Sequence, residues 1–102
     1  MEIVITKENF DAEVRNYKGT VLLDFWAGWC GPCMMLSPVV SEIAKDLDGH
    51  VKVGKVNVDE QPELSRAFRV ESIPLLVVVK DGVIQNQSVG VLPKNSILEM
   101  LK

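Results

Sequence analysis

Histidine occurs once, at His50, and cysteine only twice, at Cys30 and Cys33. A tetrahedral zinc site wants four thiolate or imidazole ligands, more than these side chains can supply. Positive charge is also short: 11 Lys and Arg against 14 Asp and Glu leave a net charge of −3. The basic residues are scattered, whereas a nucleic-acid binder normally shows a basic patch, so no nucleic-acid partner is expected. No apolar run approaches the roughly 20 residues needed to span a bilayer, and Met1–Lys7 is too short for a signal peptide. No membrane association and a cytoplasmic location are therefore the expectation. Repeats, low-complexity tracts and linkers are missing as well. The 102 residues, 47% of them hydrophobic and 25% charged, read as a single domain, 1–102, around one core.

Against this background one stretch stands out, Trp29-Cys30-Gly31-Pro32-Cys33. Upstream, Val21–Ala27 reads as a buried strand interrupted by one carboxylate, Asp24; downstream, Leu36, Val39, Val40, Ile43, Ala44 and Leu47 recur at helical spacing. The cysteines therefore fall at a strand-to-helix turn, where Gly31 gives backbone freedom and Pro32 suits the first helical turn. Residues three apart on a helix have Cβ atoms roughly 5–6 Å apart, so small torsional changes can bring two sulfurs to bonding distance. Cys30 meets the positive end of the helix dipole, which favours the reactive thiolate. Three other readings compete: half of a zinc site, two unrelated buried thiols and a purely structural disulfide. The second leaves Gly31-Pro32 unexplained, and closing a loop of about four residues gives only roughly 2 kcal/mol, easily lost to strain. In a reducing compartment such a pair points to catalytic sulfur.

In chain order, Glu2–Ile5 reads as a strand, and Thr6 as the N-cap of a helix carrying Phe10, Val14 and Tyr17, ended by Lys18-Gly19. Thr20–Ala27 follows as a strand, then the cysteine turn and a long helix to about Leu47, with Pro38 expected to bend it. Val51–Val58 is a third strand, parallel to the second across a right-handed crossover. Asp59 can cap a short helix with Pro62 in its first turn and Leu64 and Phe68 inward. Leu75–Val79 and Val83–Val89, joined by Lys80-Asp81-Gly82, form an antiparallel hairpin. The last helix runs from about Pro93 to Leu101.

The motif, preceded by Asp24-Phe25-Trp26-Ala27, resembles that of the thioredoxin family, and the resemblance extends from about Val4 to Leu101 without large gaps. It implies an α/β fold, a mixed central sheet of about five strands flanked by four helices. It also implies a thiol–disulfide oxidoreductase that reduces protein disulfides, binds no cofactor and stores its electrons in a reversible Cys30–Cys33 disulfide. A separate thioredoxin reductase, fed by NADPH or ferredoxin, would restore the dithiol; the partners are that reductase and disulfide-containing proteins, and a monomer is expected. Asp24 matches the family's buried acid, Lys55 the strand lysine beside it, Ile73-Pro74 the loop whose proline is held in cis, and Val89-Gly90 the glycine loop.

Cys30 fits the attacking thiol and Cys33, a turn further in and more shielded, the resolving one. No histidine or cation lies between them to stabilise the thiolate strongly, which suits a reductant. Trp29, Gly31, Pro32, Ile73, Pro74, Gly90 and Val91 would receive an extended substrate, Ile73 offering its backbone. For Trp29 and Ile73 the alternative is core packing. Asp24 is either a buried acid exchanging a proton with Cys33 or a carboxylate exposed by a shifted register. Lys55 either moderates that acid or is a solvated strand lysine, and His50 reads as a surface residue. Three positions depart from the family pattern: Met34 stands in place of a lysine or arginine, Leu75 of a threonine, and Pro93 of a capping serine. A docking module with incidental cysteines is the competing class, opposed by the intact motif together with Asp24 and Pro74.

Overall fold

A computed structural model describes residues 2–102. In chain order these form β1 (Glu2–Val4), a π-helical turn (Asp11–Arg15), β2 (Thr20–Trp26), α1 (Gly31–Asp46), β3 (Val51–Asn57), α2 (Pro62–Ala67), β4 (Leu75–Lys80), β5 (Val83–Val89) and α3 (Lys94–Met100). The strands make one sheet in the order β1-β3-β2-β4-β5. β1 and β2 run parallel to β3, while β4 is antiparallel to both β2 and β5. The expected mixed five-stranded sheet, its parallel β2–β3 pair and its hairpin are all present.

Side chains alternate across a strand, and on β2 that alternation sorts two apolar layers. Val21, Leu23 and Phe25 pack with Val14 of the π-helical turn and Leu64 of α2. Leu22 packs on the other face with Leu36, Val40 and Ile43 of α1 and Ile97 of α3. By the same alternation Asp24 falls on the face that α1 covers. The first layer packs tightly over Gly54 of β3, where a Cβ would lie 2.6 Å from Ile5 Cγ1 and 3.0 Å from Leu23 Cδ2. The β4–β5 hairpin turns through Asp81 (φ 51°) and Gly82 (φ 81°), the left-handed pair that suits a two-residue hairpin loop. Its tip is anchored: Gly19 N–H donates to Asp81 Oδ1 at 2.8 Å, and Asp81 N–H to the Gly19 carbonyl at 3.0 Å.

Two local expectations are corrected. The helix expected from Thr6 to about Tyr17 shrinks to the five-residue π-helical turn. Thr6 and Asn9 bond reciprocally, Thr6 N–H to Asn9 Oδ1 at 2.8 Å and Asn9 N–H to Thr6 Oγ1 at 3.3 Å, and hold residues 7–9 as a turn. Tyr17 lies beyond the helical segment, its ring 3.5 Å from the Lys52 ammonium. Asp59 does not cap α2; Gln61 holds the N-cap position, without a side-chain bond. Asn57 Oδ1 instead accepts from the N–H groups of Asp59 and Glu60 at 2.9 and 3.2 Å, and the Asp59 carboxylate turns elsewhere. α3 begins after Pro93, which makes no side-chain cap.

Candidate active site

β2 ends at Trp26, and four residues later Cys30 becomes the N-cap of α1, with extended backbone (φ −94°, ψ 106°) and proline in the first turn. Cys30 and Cys33 are joined as a disulfide with Cα atoms 5.2 Å apart. The Cys33 N–H, one of the donors that a helix start leaves without an intrahelical partner, points at Cys30 Sγ at 3.2 Å. The helix thus presents a backbone donor and the positive end of its dipole to one sulfur. Cys33 is 1% exposed and Cys30 only 5%. The expected order of accessibility is kept, but in the disulfide the first sulfur is far less open than its place before the helix suggests. Ala27, Trp26, Val58 and Ile73 pack around the pair.

The loop 72–74 faces the cysteines. The Ile73–Pro74 bond is cis, and the Ile73 carbonyl oxygen lies 3.9 Å from Cys30 Sγ. Gly90, at φ 98°, donates its N–H to the Pro74 carbonyl at 2.8 Å, which ties the 90–93 segment to the same loop. Gly31 and Pro32 are exposed at the start of α1, and Val91 is exposed as well. Trp29 is 71% exposed, so core packing does not explain it, whereas Ile73 is half-buried against the disulfide. Trp29 is held from outside by Asp59, whose Oδ2 accepts its indole N–H at 2.8 Å. Spacing gave no sign of this partnership: the two lie 30 residues apart, and Asp59 read as a helix cap.

Below the motif, Asp24 and Lys55 are register partners on β2 and β3. The ammonium donates to Asp24 Oδ2 at 2.9 Å, so Lys55 is no freely solvated strand lysine, and Asp24 is 1% exposed. Its other oxygen, Oδ1, is buried with no hydrogen-bond partner among the described residues. Burial in this apolar layer raises the carboxyl above its ordinary range; the Lys55 charge and hydrogen bond oppose the shift and Glu2 adds to it. Lys55 is also 5.4 Å from the Trp26 ring centroid, sharing its charge between a carboxylate and an aromatic face. A buried carboxyl of raised pKa, on the face covered by the cysteine-bearing helix, can give and take protons beside that helix.

His50 is exposed, as expected. No group of three or more His, Cys, Asp or Glu side chains among the described residues is placed to hold a metal ion. No helix among them is long and apolar enough to cross a membrane.

With this geometry in place, the family model described as Thioredoxin matches residues 1–102. Thioredoxin 2 of Chlorobaculum tepidum is 47% identical over 96 residues, covering 94% of this chain and 88% of the relative. The thioredoxin of Staphylococcus haemolyticus is 44% identical over 99 residues, 97% and 93% of the two chains. Thioredoxin 1 of Nostoc is 43% identical over 98 residues, 96% and 92%.

Proposed function

Because the chain belongs to the thioredoxin family of disulfide oxidoreductases, we propose that Cys30 is the attacking thiol of its redox pair and Cys33 the resolving one. The Cys30 thiolate attacks one sulfur of a protein disulfide, forming a mixed disulfide and releasing the other substrate sulfur as a thiolate. Cys33 then gives its proton to the Asp24 carboxylate and attacks Cys30, closing the Cys30–Cys33 disulfide and releasing the second substrate thiolate. Two electrons pass to the substrate, and its two released thiolates take up the proton returned by Asp24 and one from solvent, the latter replacing the proton that Cys30 gave up on forming its thiolate. Lys55 limits the rise of the Asp24 pKa and so keeps the carboxylate available as the acceptor.

The observation that carries this assignment is the placing of Cys30 at the N-cap of α1, where the Cys33 N–H is directed at its sulfur. A thiolate formed there gains a charge-assisted hydrogen bond and the favourable end of the helix dipole. Substrate lies as an extended strand over Trp29, Gly31, Pro32, Ile73, Pro74, Gly90 and Val91, pairing with the backbone of Ile73. One domain, residues 1–102, acts as a monomeric electron carrier in the cytoplasm and is returned to the dithiol by a reductase drawing on NADPH or ferredoxin.

Trapping tests the assignment. Cys33→Ser accumulates mixed disulfides with substrate proteins on non-reducing gels, and Cys30→Ser does not; the reverse pattern overturns it. Supplying an NADPH-dependent and a ferredoxin-dependent reductase in turn, and following reduction of a protein disulfide, identifies the electron source.

A further inference from the structure

The two edges of the sheet are finished differently. β1 is three residues long, carries Glu2, and its Val4 carbonyl accepts from Asn9 Nδ2 at 2.9 Å. β5, at the opposite edge, runs for seven residues, and from 82 to 93 the chain has no charged residue. Edge strands are commonly blunted by charge, proline or brevity, and β5 has none of the three. Val83, Ile84 and Val89 are each more than half exposed. One bond fixes which way its backbone groups point. Gly90 N–H donates to the Pro74 carbonyl, just before β4, at 2.8 Å. By the alternation of an antiparallel ladder Ser88 and Asn86 also face β4, so Val89 and Gln87 turn their N–H and C=O groups outward. The outward Gln87 N–H is taken by its neighbour's side chain, Asn86 Oδ1, at 2.9 Å. The chain thus covers the middle of its own open edge with a side chain that a change of rotamer removes.

We infer that β5 docks β5 of a second copy of this chain, antiparallel about a two-fold axis at Gln87, and that the Asn86 side chain competes with this pairing. A two-fold axis sets each strand against its own equivalent. A charged edge would then repel itself, whereas an amide side chain both donates and accepts and is complementary to its own copy. With the axis at Gln87 the two Gln87 residues exchange N–H···O=C bonds, Asn86 having released the amide, and their side chains lie next to each other. The two five-stranded sheets become one whose outer edges are both β1, so association stops at two copies. A single strand pair is smaller than the roughly 1,200 Å² of a stable interface. The dimer therefore forms at high concentration, and the dilute carrier remains the monomer proposed above.

Sedimentation equilibrium of the oxidised protein from about 10 µM to about 1 mM covers the range expected for so small an interface, and a monomer–dimer equilibrium is the expected result. Asn86→Ala should lower the dimer Kd by about threefold or more, because the Gln87 N–H loses its intramolecular acceptor. Gln87→Lys and Gln87→Glu should each raise it by about threefold or more at low salt, and an equimolar mixture of the two should associate at least as tightly as the parent, since the axis sets lysine against glutamate. Disulfide reduction by the dilute protein should be unchanged in all three variants; a loss there means that β5 meets substrate and not a second copy, and overturns the inference. Parent and Asn86→Ala proteins that both stay monomeric to the highest concentration overturn it too, as do species larger than a dimer or a dimer indifferent to charge at Gln87. An Asn86→Ala dimer no tighter than the parent's removes the competing role of Asn86, and a mixture no tighter than its components removes the axis at Gln87. The trapping pattern of Cys30 and Cys33 is read separately and stands or falls by itself.

Discussion

Replacing Asp24 with alanine removes a carboxyl that is 1% exposed and has one oxygen, Oδ1, without a hydrogen-bond partner. A buried polar atom left unpaired costs about 1–3 kcal/mol, and the variant recovers that amount. Against it stands the small void left by three heavy atoms, about 1 kcal/mol at most. The cation left behind is not trapped, since Lys55 lines an open surface groove with Trp26, Asn57 and Glu60 and its long stem lets the ammonium reach water. The net expectation is that Asp24→Ala is more stable than the parent by about 1–2 kcal/mol at pH 8, or about 4–8 °C in Tm for each kcal/mol. The pH dependence follows from the raised pKa. The folded carboxyl keeps its proton to higher pH than the unfolded one, whose ordinary value is 3.8. Well below that value the group is neutral in both states and no charge is buried. As pH rises from there through the folded pKa the native state must ionise a desolvated group, and parental stability falls. The advantage of the variant therefore grows from pH 4 to a plateau above the folded pKa. Guanidinium titrations of both oxidised proteins across this range measure it. An alanine variant no more stable than the parent at pH 8, or an advantage that increases toward pH 4, refutes the reasoning.

Asp24→Ala should also slow disulfide exchange by about tenfold or more, because Cys33 loses its proton acceptor; rates equal to the parent's in a protein-disulfide reduction assay would remove Asp24 from the mechanism. Gly54→Ala drives a methyl group to 2.6 Å from Ile5 Cγ1 and should destabilise by about 1–3 kcal/mol, read from the denaturation midpoint; an unchanged midpoint would mean that the Ile5 side chain yields freely. Arg69 follows α2 at φ 53°, and Val70 N–H closes back on the Ser65 carbonyl at 2.9 Å, a helix ending that favours glycine. Arg69→Gly is expected to raise stability by about 0.5–1 kcal/mol by the same measurement.

Wherever an element is dictated by its own residues, the sequence was a good guide. The β2-to-α1 turn follows from an apolar run, a Gly-Pro pair and helical periodicity, and the hairpin from Asp81-Gly82 between valine-rich runs. The side chain of Asp24 could be placed as far as burial. What local pattern could not supply were contacts between segments remote in sequence. Thr6 reads as a cap, yet the competing side chain of Asn9 uses the same backbone groups and delays the helix. Asp59 reads as a cap until Asn57 takes the neighbouring amides and Trp29, from the turn after β2, takes the carboxylate. Lys55 had two readings of nearly equal weight, because its partner is fixed by strand pairing and not by spacing. Its register opposite Asp24 decides between them.

That register pairing also bears on how the chain finds its sheet. β2 and β3 are apolar enough that shifted alignments would bury comparable hydrocarbon, and valine neighbours valine or leucine in most of them. Sliding β3 by one residue would turn Lys55 to the face beneath the π-helical turn and α2, leaving Asp24 under α1 without its cation. A buried charge deprived of its partner costs about 3–5 kcal/mol, more than an alternative valine contact returns. The lone acid of the core thus acts as an alignment mark: it lowers the stability of the right sheet, and it lowers that of the slipped ones further.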